Sequence, residues 1–140
     1  MEKSNVQIGF ELDDLISTPI KRLTDLEDIP KQTVIEGAVE VLTKIKEAGH
    51  QIVIYTNRDA STMLETQRWL DKNKIPHHHV YFNRPKMFRI FAKDCQEFIN
   101  WEETKKHLEK YDIVKKEKTL EDVNKGTVNN GVQDLRKPNG

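Results

Sequence analysis

An α/β domain built on a central parallel sheet is what the pattern of apolar residues in this chain predicts. Residues 6–12 alternate apolar and polar side chains, as a strand does. Residues 51–55 form a continuous, β-branched run, as strands covered on both faces do. Between them Ala38, Val41, Leu42 and Ile45 fall at i, i+3, i+4 and i+7, the spacing of an amphipathic helix. Strands that alternate with helices imply right-handed crossovers and parallel pairing.

Taken in order, the first strand carries Val6, Ile8, Phe10 and Leu12 on one side, and Gly9 allows another group to approach its backbone closely. Residues 17–33 are polar and irregular, with Pro19 and Pro30 as breakers. The first helix lies within residues 34–50 and ends at Gly49, a C-terminal cap. After the second strand, residues 56–59 form a strand-to-helix loop. A helix over residues 61–72 sets Met63, Leu64, Gln67 and Leu70 along one side and stops before Ile75-Pro76. Residues 80–82 and 88–92 read as two short strands, and residues 97–111 as a last helix anchored by Phe98, Trp101 and Leu108. The expected order is β-α-β-α-β-β-α, with residues 1–112 as the domain and 113–140 as a polar, flexible C-terminal tail.

Composition narrows the function classes. Lysine plus arginine (23) balances aspartate plus glutamate (23), so no global field draws in nucleic acid or an anionic membrane. A single cysteine, Cys95, excludes an internal disulfide and suits a reducing compartment. No apolar run approaches the roughly 20 residues of a membrane span, and no signal-peptide pattern precedes the first strand. The expectation is a cytoplasmic protein with no membrane partner, for which nucleic acid is disfavoured and would have to bind through local patches.

Acids at the end of the first strand are the candidate site. Glu11, Asp13 and Asp14 follow an apolar strand, and carboxylates spaced i and i+2 at a strand end flank one point in space. In open α/β sheets the ligand crevice lies beyond the carboxyl ends of the strands, where Thr56 also falls. The run from Val6 to Asp14 resembles the first motif of the haloacid dehalogenase (HAD) superfamily of phosphohydrolases, hhhhDxDx(T/V). Residues 52–58, ending Thr56-Asn57-Arg58, are similar to its second motif, a strand ending in Thr or Ser. Arg84-Pro85-Lys86 is similar to its third, a Lys or Arg often followed by Pro. Residues 88–94 stand at its fourth, a strand ending in paired acids. The resemblance covers roughly residues 6–111, and the segment with Phe98 and Trp101-Glu102-Glu103 is similar to small capsule-biosynthesis-type members.

That resemblance implies a three-layer Rossmann-like domain with a minimal cap at residues 16–33. It implies Glu11 and Asp13 as catalytic residues, the second as general acid and base. It implies Thr56, Asn57, Arg84, Lys86 and Lys93 as phosphate contacts, and Glu11, Asp13 and Asp94 as ligands of magnesium.

The chain departs from the pattern at two places. Glu11 stands where the family has its aspartate nucleophile, with Leu15 in place of Thr or Val. Ala92-Lys93, or Lys93-Asp94 after a one-residue slip, stand where the family has its two acids. An added methylene displaces a carboxylate by roughly an ångström, and a misplacement of that size costs about 10²-fold in rate. The expectation is therefore an impaired enzyme that binds a phosphorylated small molecule or protein, or a protein partner through the C-terminal helix and tail, without a cofactor. Lys93 would stand in for the metal, paired with Glu11 or Asp13. The alternative is an active magnesium-dependent phosphomonoester hydrolase. His77-His78-His79 reads as a solvated loop, since consecutive side chains on an extended segment point apart and no zinc-type fourth ligand accompanies them. Cys95 reads as a packing residue, and Trp69 and Trp101 as core.

Overall fold

The computed structural model describes residues 5–24 and 26–116. The predicted alternation yields three parallel strands, β1 (Gln7–Glu11), β2 (Gln51–Tyr55) and β3 (His79–Tyr81), in the spatial order β1-β2-β3. Three α-helices accompany them: α1 (Ala38–Glu47), α2 (Met63–Lys72) and α3 (Trp101–Lys110). Short 3-10 turns occupy Ile29–Lys31 and Ala60–Thr62. The class is α/β with a parallel sheet. No helix among the described residues is long and apolar enough to cross a membrane.

Helix α1 forms for the reason its spacing gives: Ala38, Val41, Leu42 and Ile45 are all buried. Gly49 follows it with φ +92°, the left-handed conformation expected of a C-terminal glycine. Helix α2 lies in the expected place but buries a different stripe. Thr66, Trp69 and Leu70 face inward while Met63 and Leu64 are exposed. The apolar count missed this because Thr66 is buried to serve an arginine and Trp69 to donate its indole N–H to the Gln32 carbonyl at 3.1 Å. Helix α3 starts at Asn100, whose side chain accepts from the Glu103 amide at 2.8 Å.

One expectation is corrected. Residues 88–92 do not form a strand, and among the described residues β1 has no neighbour on its outer edge. The chain leaves β3 by turning back over the strand ends, where the Arg84 amide donates to the Thr56 carbonyl at 3.0 Å, so the apolar run beyond it finds no ladder to join. Phe10, Ile52 and Ile54 meet buried residues of all three helices in one core. Alternate residues point to the opposite face, where the register sets Glu11 beside Tyr55 and Tyr55 beside Tyr81. Gln7, Glu11, Gln51, His79 and Tyr81 on that face are exposed, while Val53, between Gly9 and His79, is buried.

The segment around residues 18–33 packs beside the loop that follows β2, where the Leu23 carbonyl accepts from the Asp59 amide at 3.0 Å and Gln32 Oε1 from Arg58. Ile29 is buried, the Ile29–Lys31 turn lies against α2, and Gln32 reaches back to the Thr18 carbonyl. At the other end of the sheet His50, itself buried, accepts from the Val6 amide at Nδ1 (3.1 Å) and donates from Nε2 to the Ile113 carbonyl (2.8 Å). Chain beyond residue 116, with most of the expected 113–140 tail, lies outside the described residues.

Candidate functional site

The carboxyl ends of β1 and β2 bring the first two motifs into contact. Leu12 donates its amide to the Tyr55 carbonyl, which carries the chain one residue past the strand and delivers Asp13 beside Thr56. Asp14 then adopts φ +74° and donates to the Ser17 carbonyl, closing a tight turn that returns the chain toward Val34.

Asp13 is held on both oxygens. Thr56 Oγ1 donates to Oδ2 at 2.9 Å, while Arg58 donates to Oδ1 from Nε at 3.2 Å and from Nη2 at 2.8 Å. Arg58 is fully buried, with 0% of its surface exposed. Its remaining donors reach Thr66 Oγ1 at 3.0 Å and Gln32 Oε1 at 2.8 Å, so every guanidinium nitrogen is satisfied. A guanidinium removed from water is tolerable only with such partners, and Asp13 supplies the compensating charge. Glu11, two residues earlier, lies on the exposed face and accepts from Arg84 Nη1 at 2.7 Å. Arg84 also stacks over the Tyr55 ring, 5.3 Å from its centroid, and its carbonyl accepts from Asn57 Nδ2 at 2.6 Å. Just beyond the loop, Asp59 opens the Ala60–Thr62 turn by accepting from the Ser61 amide, and its hydrogen bonding to Ser61 holds its pKa below the ordinary aspartate value.

The structure therefore gathers Glu11, Asp13, Thr56, Asn57 and Arg84 at one end of the sheet. It does not gather Lys86, Lys93 and Asp94, which are exposed on the irregular segment after β3. Lys93 forms no ion pair with Glu11 or Asp13; the fixed cations are arginines, Arg84 and Arg58. Arg58 was missed as a site residue because its partners lie 8, 26, 41 and 45 positions away, beyond any local pattern.

Magnesium, which the HAD resemblance implies, does not fit these residues. It requires several oxygen ligands in near-octahedral array. Both oxygens of Asp13 are committed to Arg58 and Thr56, Glu11 is committed to Arg84, and among the described residues no three of His, Cys, Asp or Glu cluster to hold a metal.

The histidine run behaves as three separate groups. His77 bonds the Ile75 carbonyl and Gln67, His78 Nδ1 accepts from the Ile52 amide at 2.9 Å, and His79 lies on the open sheet face beside Tyr81. Cys95 is exposed rather than packed, because the segment that carries it leaves the sheet instead of joining it.

No family model matches the chain, and no curated protein matches it at a significant level. Among solved structures, a protein from Vibrio cholerae superposes with a TM-score of 0.52 at 16% identity, covering 89% of this chain and 95% of that one. The likeness is one of fold. Chains of the Pnkp1/Rnl/Hen1 complex and of the Pnkp1/Rnl/Hen1 RNA repair complex align at 16% and 15% identity with TM-scores of 0.49 and 0.48. Those alignments cover 97% of this chain in each case but only 46% and 42% of theirs.

Proposed function

We propose that this chain is a HAD-type phosphohydrolase-fold protein whose catalytic chemistry is silenced, and that it acts by binding a phosphorylated ligand or a protein partner. One observation carries the reading: the carboxylate in the acid–base position, Asp13, is neutralised by a buried arginine from the second motif, at 2.8 Å. A general acid must release and recover a proton at the reacting atom. A carboxylate fixed on both oxygens by Arg58 and Thr56 is a structural anion instead. The cation left for a phosphate is the half-buried Arg84, which a ligand would take over from Glu11.

The test is release of phosphate from a generic aryl phosphate with magnesium present, comparing wild type with Glu11→Ala and Asp13→Asn. The expected result is no turnover above either variant, together with a rise in melting temperature on adding inorganic phosphate that persists in chelator and is lost in Arg84→Gln. Turnover that needs magnesium and disappears in both variants would overturn the reading in favour of an active phosphomonoesterase using Glu11 and Asp13.

A further inference from the structure

We propose that the open face of the sheet, together with the segment that runs from it over residues 81–93, is a binding surface for single-stranded nucleic acid. The balanced charge of the whole chain hides a local run. Residues 81–93 contain Arg84, Lys86, Arg89 and Lys93 and no acid before Asp94. Among the described residues Lys86, Arg89 and Lys93 have no carboxylate partner, so this run presents uncompensated positive charge to a polyanion.

Aromatic rings are interleaved with those cations. Phe88 is 87% exposed, Phe91 95% and Tyr81 54%. Phe88 and Phe91 bury almost nothing in the fold, Tyr81 leaves about half of its surface free, and each offers a ring to a nucleobase. Arg89 already lies over the Phe88 ring at 4.7 Å, the cation–ring geometry that a base and phosphate would extend. On the sheet, Tyr81 stacks on Tyr55 with centroids 5.8 Å apart and planes 22° apart, and Arg84 covers Tyr55. This ladder stands on the strand face opposite Phe10, Ile52 and Ile54, which the helices pack against. It rests on Gly9, where an added Cβ would lie 2.6 Å from the Tyr55 ring. A flat sheet with exposed rings and neighbouring cations stacks unpaired bases, and duplexes, whose bases are already stacked, fit it poorly.

Other occupants fit less well. The aliphatic side chains of this surface, Val53, Met87 and Ile90, are separated by the cations of the segment and by Gln7, Glu11, Gln51 and His79 around the tyrosines, which breaks up the continuous apolar patch a protein core would need. An anionic membrane would take up the phenylalanines and leave Tyr81 unused. The proposal is independent of the state of Asp13 and holds whether or not catalysis survives.

The experiment is fluorescence anisotropy of a labelled 12-nucleotide oligouridine on the full chain, from 50 to 200 mM potassium chloride. Oligothymidine, a duplex of equal length, polyglutamate and phosphatidylserine vesicles serve as separate arms. Engagement of four phosphates predicts a slope of log affinity on log salt of about −2.8, since each contributes about −0.7 on a single strand. Tyr81→Ala and Phe91→Ala should each weaken binding roughly tenfold without moving the melting curve, and Lys86→Gln should flatten the slope by about 0.7. RNA bound better than DNA would assign the surface to RNA, and equal binding would assign it to single strands generally. Absence of oligonucleotide binding at 50 mM salt would overturn the proposal, as would binding indifferent to both ring substitutions. Polyglutamate bound equally well would overturn it in favour of an acidic protein partner. Vesicle binding that survives Tyr81→Ala, without oligonucleotide binding, would overturn it in favour of a lipid surface.

Discussion

The two faces of the sheet are made from alternate residues of the same three strands, yet they follow opposite rules. On one, Phe10, Ile52 and Ile54 are closed under three helices, with Trp101 set against Phe10 at 5.3 Å and its indole N–H on the Leu15 carbonyl. On the other, Glu11, Tyr55 and Tyr81 stand side by side at the same strand ends, with Arg84 on Glu11 and over the Tyr55 ring. Parallel sheets ordinarily bury both faces, and their strands then read as unbroken apolar runs. Only β2 reads that way here. The lesson is that strand patterning reports which face is closed, and β1 and β3 report one closed face each.

The widest contrast should come from truncating one ring on each face. Trp101→Ala removes a side chain that is 2% exposed and is expected to cost about 3–5 kcal/mol in urea denaturation. Tyr81→Ala should stay within about 0.5 kcal/mol, as surface changes do. A comparable loss at Tyr81 would mean that the open face is covered in solution.

The two acid–arginine pairs repeat the contrast on a smaller scale. Asp13→Ala leaves the fully buried Arg58 charge without its partner and is expected to destabilise by about 3 kcal/mol, the lower end for a broken buried pair. Glu11→Ala removes a pair whose acid is more than half exposed, and should change stability by less than about 1 kcal/mol, with the loss shrinking in high salt. Parallel denaturation curves of the two variants decide whether the clasp is structural.

Helix α3 brings Trp101 to the covered face, and its start depends on one cap. Asn100→Ala should cost about 1 kcal/mol, read as a lowered denaturation midpoint with unchanged slope. The smallest effect concerns acid. The folded-state pKa of Asp59 is depressed, so its contribution is present above the ordinary aspartate range and is lost as pH falls through the lower folded value. Wild type and Asp59→Asn should therefore differ slightly in melting temperature at neutral pH and converge at strongly acidic pH.

Much of this was legible in the sequence, and the misses share a cause. The spacing of Ala38, Val41, Leu42 and Ile45 identified α1 because burial there is purely apolar. The strand pattern puts the acidic cluster and Thr56 at strand ends, and there Asp13 and Thr56 meet at 2.9 Å. Helix α2 was turned to the wrong stripe because Thr66 is buried for its hydroxyl. The strand at residues 88–92 was expected from composition, but β propensity is realised only against a partner strand, and the backbone turns at Arg84 before one is reached. Arg58 was legible as a residue but not as a role. Nothing nearby in sequence marks it for burial, since Asp13, Gln32 and Thr66 reach it from three separate elements.

His50 has a consequence for how the chain can be rearranged. One imidazole bonds both the residue that leads into β1 and a residue just beyond α3, so the chain entering the first strand and the chain leaving the last described helix meet across a single ring. A short linker from the Ile113 side back to Val6 would bridge a few ångströms of a junction already formed. New termini could then open within residues 86–96, where no strand or helix would be cut. The protein is thus a natural candidate for circular permutation, with the aromatic, basic segment freed at one new end.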